Sequence, residues 1–191
     1  DVLGSGFTVD AMYTPDAGSG DAQADNGTSG ELGGTSGSAE EIVIKGSVPM
    51  VDGLDVGVGY YSQDTNSTVD TGTYGQEEGT AYIKYSTGPV SLGYQKGVVA
   101  DFTGGAEETQ YTNQYYGISY KVSDNVSVSY NEMESRKRQN GTDIEQDFDS
   151  ISVSYTVGGM TIGIADADVS NSSYTSGRAQ DETSVSLSIA F

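Results

Sequence analysis

The chain has 191 residues, 28 of them acidic and 8 basic, giving a formal net charge of −20, and it contains no His, Cys or Trp. That charge argues against a nucleic-acid partner, which would need clustered Lys and Arg for its phosphates. The missing residue types exclude histidine or thiolate catalysis and His/Cys zinc sites. Only 35% of the residues are hydrophobic, whereas Gly reaches 27 and Tyr 14, so aliphatic side chains are scarce for a two-layer core.

No stretch approaches the roughly 20 consecutive apolar residues of a membrane-spanning helix. Period-two alternation runs through the chain instead and predicts ten strands. The first carries Phe7, Val9, Ala11 and Tyr13 on one face, and the second Ile42 and Ile44. Leu54, Val56, Val58 and Tyr60 mark the third, and Ala81, Ile83 and Tyr85 the fourth. Val90, Leu92 and Tyr94 define the fifth, Tyr116, Ile118 and Tyr120 the sixth, and Val126, Val128 and Tyr130 the seventh. Ile151, Val153 and Tyr155 follow, then Met160, Ile162 and Ile164, then the closing stripe Val185, Leu187, Ile189 and Phe191.

Tight turns are expected at PMVDG (49–53), STGP (86–89), KVSDN (121–125) and TVGG (156–159), all rich in Gly, Pro, Asn and Asp. Long loops are expected near residues 14–40, 62–79, 96–109, 131–149 and 165–182. Tyr85, Tyr120 and Tyr155 recur at equal spacing because equal hairpins repeat, while the loops share little.

The second face of each strand decides the class. It carries small uncharged residues, notably Ser127, Ser129, Ser150, Ser152 and Ser154, where a soluble sandwich would place Lys and Glu. The expectation is an antiparallel up-and-down transmembrane β-barrel with apolar side chains toward lipid and these serines lining the lumen. Tyr85, Tyr120 and Tyr155 near the short turns, with Tyr13, Tyr60, Tyr94 and Tyr130 toward the long loops, are read as two aromatic girdles at the membrane interfaces. The terminal Val185, Leu187, Ile189 and Phe191 resemble the C-terminal aromatic signal of bacterial outer-membrane proteins.

The stretches GFTVDAMYTPDAGSGDA (6–22), EIVIKGSVPMVDGLDVGVGY (41–60) and SVSLSIAF (184–191) together resemble Gram-negative general porins of the alphaproteobacterial type. The resemblance implies the last ten strands of a sixteen-stranded barrel, a homotrimer, an outer-membrane location, and contact with outer-membrane lipids and lipopolysaccharide. It also implies passive diffusion of small hydrophilic solutes and ions. The family's constriction loop and basic ladder normally lie in an earlier part of the chain, and no matching arginine ladder is present here. The alternative is a complete ten-stranded barrel whose loops act as an adhesin or contact surface; a third reading is a secreted acidic sandwich with calcium-bound loops. Asp1 leads directly into alternation without a signal peptide, so the numbering is expected to begin after processing or inside a longer protein.

Most acids fall in the long loops, which predicts an acidic mouth and a cation preference. DTNSTVD (64–70) and DADVSN (166–171) offer oxygens for calcium but follow no known calcium-loop spacing. In SRKRQN (135–140), the basic residues are expected to pair with acids across their own hairpin, with lipopolysaccharide phosphates as the alternative partner. Exposed carboxylates such as Asp166 and Asp168 lack the burial that acid–base catalysis requires, so no enzymatic activity and no cofactor are expected.

Overall fold

The computed structural model describes residues 6–17, 37–64, 73–103 and 109–189. Ten strands form one antiparallel sheet in sequence order: β1 (Phe7–Ala17), β2 (Gly37–Ser47), β3 (Leu54–Asp64), β4 (Thr73–Thr87), β5 (Val90–Thr103), β6 (Thr109–Lys121), β7 (Val126–Gln139), β8 (Thr142–Val157), β9 (Met160–Ser170) and β10 (Gln180–Ile189). Each strand pairs with its neighbours in the chain, the pattern of an up-and-down meander. Strands β1 and β10 remain the edges, so closure into a barrel is not made within this sheet. Among the described residues no helix is long and apolar enough to cross a membrane.

The register puts every apolar stripe on the same side. One row runs Val9, Ile44, Val58 and Ala81 from β1 to β4, and another runs Tyr120, Val128, Val153, Ile164 and Val185 from β6 to β10. Because side chains alternate with period two, a one-residue slip in any strand would send its whole stripe to the other side. The ladder therefore fixes a continuous apolar band across ten strands.

Nothing in the described chain covers that band. Ala39 is the buried apolar residue at 4% exposure, while Val58, Ile151 and Leu187 stand at 51%, 60% and 61%. The accessible surface of 12207 Å² far exceeds the roughly 8,700 Å² typical of a compact monomer of this mass. The two sides also differ in access. Along β9, Ile162, Ile164, Asp166 and Asp168 are exposed, whereas the smaller Thr161, Gly163, Ala165 and Ala167 between them are half-buried. A sheet that curls with its small side inward has this asymmetry along its strands, and on that ground the apolar side is termed convex and the Ser/Gly side concave.

The strands run further than the apolar alternation suggested. Residues 131–149, expected as a loop, belong mostly to β7 and β8, which meet at a two-residue Asn140–Gly141 turn. Both turn residues have positive φ, 51° and 75°, the backbone that an Asn-Gly hairpin turn requires. The other expected long loops shrink as well: β5 extends to Thr103, β6 starts at Thr109, and β9 runs on to Ser170. Beyond the apolar band these strands alternate polar with polar, so hydrophobic period ceases to report them while the ladder continues.

Candidate functional site

The convex band is bounded by tyrosines. Tyr85, Tyr120 and Tyr155 lie on the convex side near the turns at residues 88–89, 122–125 and 158–159. Tyr13, Tyr60, Tyr94 and Tyr130 lie on the same side toward the opposite end. Tyr94 stacks at a tilt on Tyr116, centroids 5.1 Å apart, and both hydroxyls donate to Gln114 Oε1 at 3.1 and 3.3 Å. Tyr130 Oη donates to Glu132 Oε2 at 3.4 Å. Each ring thus keeps its body beside the aliphatic band and turns its hydroxyl toward the polar strip beyond. Val185, Leu187 and Ile189 extend the band onto β10 opposite Ile164, Ile162 and Met160. Phe191 lies outside the described residues.

Past the tyrosines the convex side becomes acidic. Glu132, Asp149, Asp168 and Asp181 form one ladder row across β7 to β10. Like charges opposite one another destabilise a sheet, and Asp168 responds. This carboxyl, which lies beyond the apolar band, titrates above its ordinary range because it hydrogen-bonds Asp181, with desolvation and repulsion from Asp181, Asp149 and Asp166 adding to the effect. Among the described residues no cluster of three or more acids is arranged to hold a metal ion. Residues 166–170 of DADVSN form the end of β9 and Asn171 begins the following turn, while residues 65–70 of DTNSTVD lie outside the described residues. Of the basic cluster, Arg136 pairs across its own hairpin as expected, its Nη2 meeting Glu145 Oε2 at 2.6 Å; Arg138 is the register neighbour of Asp143, and Lys137 lies over the Tyr111 ring instead.

The concave side carries the expected serines. Ser127 and Ser154 share a hydrogen bond of 2.7 Å, and Ser129 and Ser152 one of 2.6 Å. Ser150 sits beside them, opposite Asn131 and Ala167. Paired hydroxyls satisfy each other across the ladder while leaving room above the sheet, because the side chains are short.

This side is not uniformly small, however. A ladder row of Tyr82, Gln95, Tyr115, Met133 and Phe148 crosses it from β4 to β8. Next to it runs a row of Gly93, Gly117, Asn131 and Ser150, and the first row with Gly93, Gly117 and Asn131 of the second borders a cavity of about 530 Å³. The Tyr82 ring occupies the space that a side chain on its cross-strand partner Gly57 would need, so it is held flat against β3. Met133 and Phe148 fell inside a segment expected to be a loop and were missed. The Asn140–Gly141 dipeptide, a strong hairpin signal, would have placed both on strands.

A strap folds over the concave side just beyond that row. The connection between β9 and β10 contains a short 3-10 turn, Ser172–Tyr174, in which Ser173 and Tyr174 have φ of 56° and 53°. Left-handed backbone at such residues costs of order 1 kcal/mol or more each and persists where surrounding contacts fix it. Here Tyr174 Oη shares a 2.6 Å hydrogen bond with Ser135 Oγ, which donates to Asn113 Oδ1 at 2.5 Å. The Tyr174 ring tilts against Tyr111 at 5.5 Å, and Lys137 Nζ lies 5.8 Å from the Tyr111 centroid. Asn171 Nδ2 donates to the Glu145 carbonyl and the Ser173 amide to Gln146 Oε1, both at 2.8 Å. Ser135 is left only 2% exposed.

No family model matches the chain, and no curated protein is significantly similar to it.

Proposed function

We propose that this sheet is the wall of a membrane-spanning β-barrel of the Gram-negative outer membrane, and that its concave side lines an aqueous path for small hydrophilic solutes and ions. One observation carries the reading: ten strands turn a continuous apolar band outward with no second layer among the described residues to cover it, and turn Ser, Gly and Asn inward. In water an apolar patch of that extent would be untenable, since monomers rarely expose more than a few hundred Å² contiguously. In lipid it is the required exterior, and the polar side becomes the lumen. The two tyrosine lines and the acidic strip beyond them support the same orientation, with ring bodies at the headgroup level and carboxylates in water.

Lipid also demands that the backbone groups of β1 and β10 find partners, each unpaired group costing several kcal/mol. Those edges pair with one another or with further strands. Transport is passive, driven by solute gradients. The net charge of −20 makes the path favour cations.

The experiment is reconstitution into planar bilayers under a potassium chloride gradient. Ohmic current steps are expected, with a reversal potential on the cation side that declines as salt shortens the screening length below about 10 Å. A protein that remains soluble without detergent and produces no steps would overturn the barrel reading. An anion-side potential would overturn the charge assignment alone.

A further inference from the structure

The row of large side chains on the concave side has no structural duty comparable to that of the serines around it. A lumen wall needs short polar residues, yet Tyr82, Tyr115 and Phe148 stand on alternate strands β4, β6 and β8, with Gln95 and Met133 between them. At about 4.8 Å per strand, the rings follow one another roughly every 10 Å. Tyr115 is 40% exposed despite its size, and the Tyr82 ring is fixed over Gly57. Beside the row, Gly93 faces Gly117 across the β5–β6 ladder and leaves a trough without side chains. The cavity volume of about 530 Å³ falls within the roughly 300–1,000 Å³ of small-ligand sites.

We propose that this row and its glycine trough bind a neutral ring sugar, an extended disaccharide lying flat across alternate strands; the proposal deepens the reading of the concave side as a lumen wall. The chemistry selects the ligand. An aromatic face carries negative π density that attracts polarised C–H groups, and a pyranose ring offers a flat face of such groups. Its hydroxyls point outward around the rim, where the amides of Gln95 and Asn131 line the cavity. Gln95 Nε2 is itself held by Thr80 Oγ1 at 3.0 Å, which orients that amide. An anion is disfavoured by the acidic chain. A cation entering the row meets ring faces but no carboxylate in the row itself; of the charged residues that border the cavity, Lys84 shares the concave side, whereas Glu132 belongs to the ladder row of Asp149 on the convex side. The strap bound to Ser135 and Asn113 lies one ladder row beyond Met133 and Tyr115, so the trough opens away from it.

The test is saturation-transfer NMR with cellobiose on the full chain, solubilised in a polyoxyethylene detergent that carries neither sugar nor ammonium groups. Transfer to the ring C–H protons is expected. Tyr115→Ala should weaken binding about three- to tenfold, whereas Tyr115→Phe, which keeps the ring, should stay within about twofold. Gly93→Leu provides a second variant: a Cβ there meets no atom within 4 Å, so the fold tolerates it, but the filled trough should abolish binding. Equal transfer to acyclic sorbitol, stronger binding of tetramethylammonium, or indifference to both Tyr115→Ala and Gly93→Leu would each overturn the proposal. Bilayer recordings on the same preparations separate the two readings. Sugar binding without conductance removes the pore and keeps the site; conductance without sugar binding does the reverse.

Discussion

Placing an arginine at Val153 tests the orientation of the whole sheet. Val153 lies on the convex side between Val128 and Ile164 and is 45% exposed. It is four residues from Asp149, where the acidic row begins, and four from Val157 at the short turn. With a rise of about 3.3 Å per residue, each boundary is roughly 13 Å away along the strand, so Val153 marks the middle of the apolar band. If that band faces hydrocarbon, Val153→Arg costs about 2–4 kcal/mol, the range for a basic residue at the bilayer midplane of a β-barrel. This corresponds to an equilibrium constant reduced about 30- to 700-fold. Ser152→Arg, the adjacent residue on the concave side, loses only its hydrogen bond to Ser129, worth about 1 kcal/mol. The assay is urea titration of folding into lipid vesicles, followed by the gel mobility of the folded form. Equal costs for the two variants, or no cost for Val153→Arg, would refute the assignment of sides.

Two further outcomes follow from the polar strip. Replacing Gly141 by Val in the Asn140–Gly141 turn forces a β-branched residue to φ of 75°; the hairpin should lose about 1–2 kcal/mol, seen as faster amide exchange over residues 136–145 with little change near Val153. Asp168 binds its proton more tightly folded than unfolded, so its contribution is fully favourable below the unfolded carboxyl pKa of about 3.9 and is lost as pH rises through the folded value. Asp168→Asn should therefore stabilise the protein relative to wild type at pH 7, with the gain fading toward pH 4; a gain independent of pH would show that carboxylate repulsion is not its source.

How far the sequence speaks is clearest along β7 and β8. Up to Tyr130 and down to Ile151, alternation of Val, Ile and Tyr with Ser reports both the strand and its faces, because successive side chains of a strand point to opposite sides and only one side is apolar. From Glu132 to Asp149 both faces are polar or mixed, so composition imitates a loop although the ladder is unbroken. The pairing there comes from the Asn140–Gly141 turn and from charges placed opposite one another, Arg136 with Glu145 and Arg138 with Asp143.

The sequence by itself determined the strand count, the meander, and the separation of an aliphatic side from a serine side. These are properties of neighbours in the chain, set by period two and by turn chemistry. Only the tertiary structure decided that Tyr82, Tyr115 and Phe148 share a row, that Tyr174 closes onto Ser135, and that four carboxylates line up across β7 to β10. The two rows depend on registers carried through several successive hairpins, and the Tyr174 contact on a connection meeting a strand 39 residues away, so no single stretch of residues carries them.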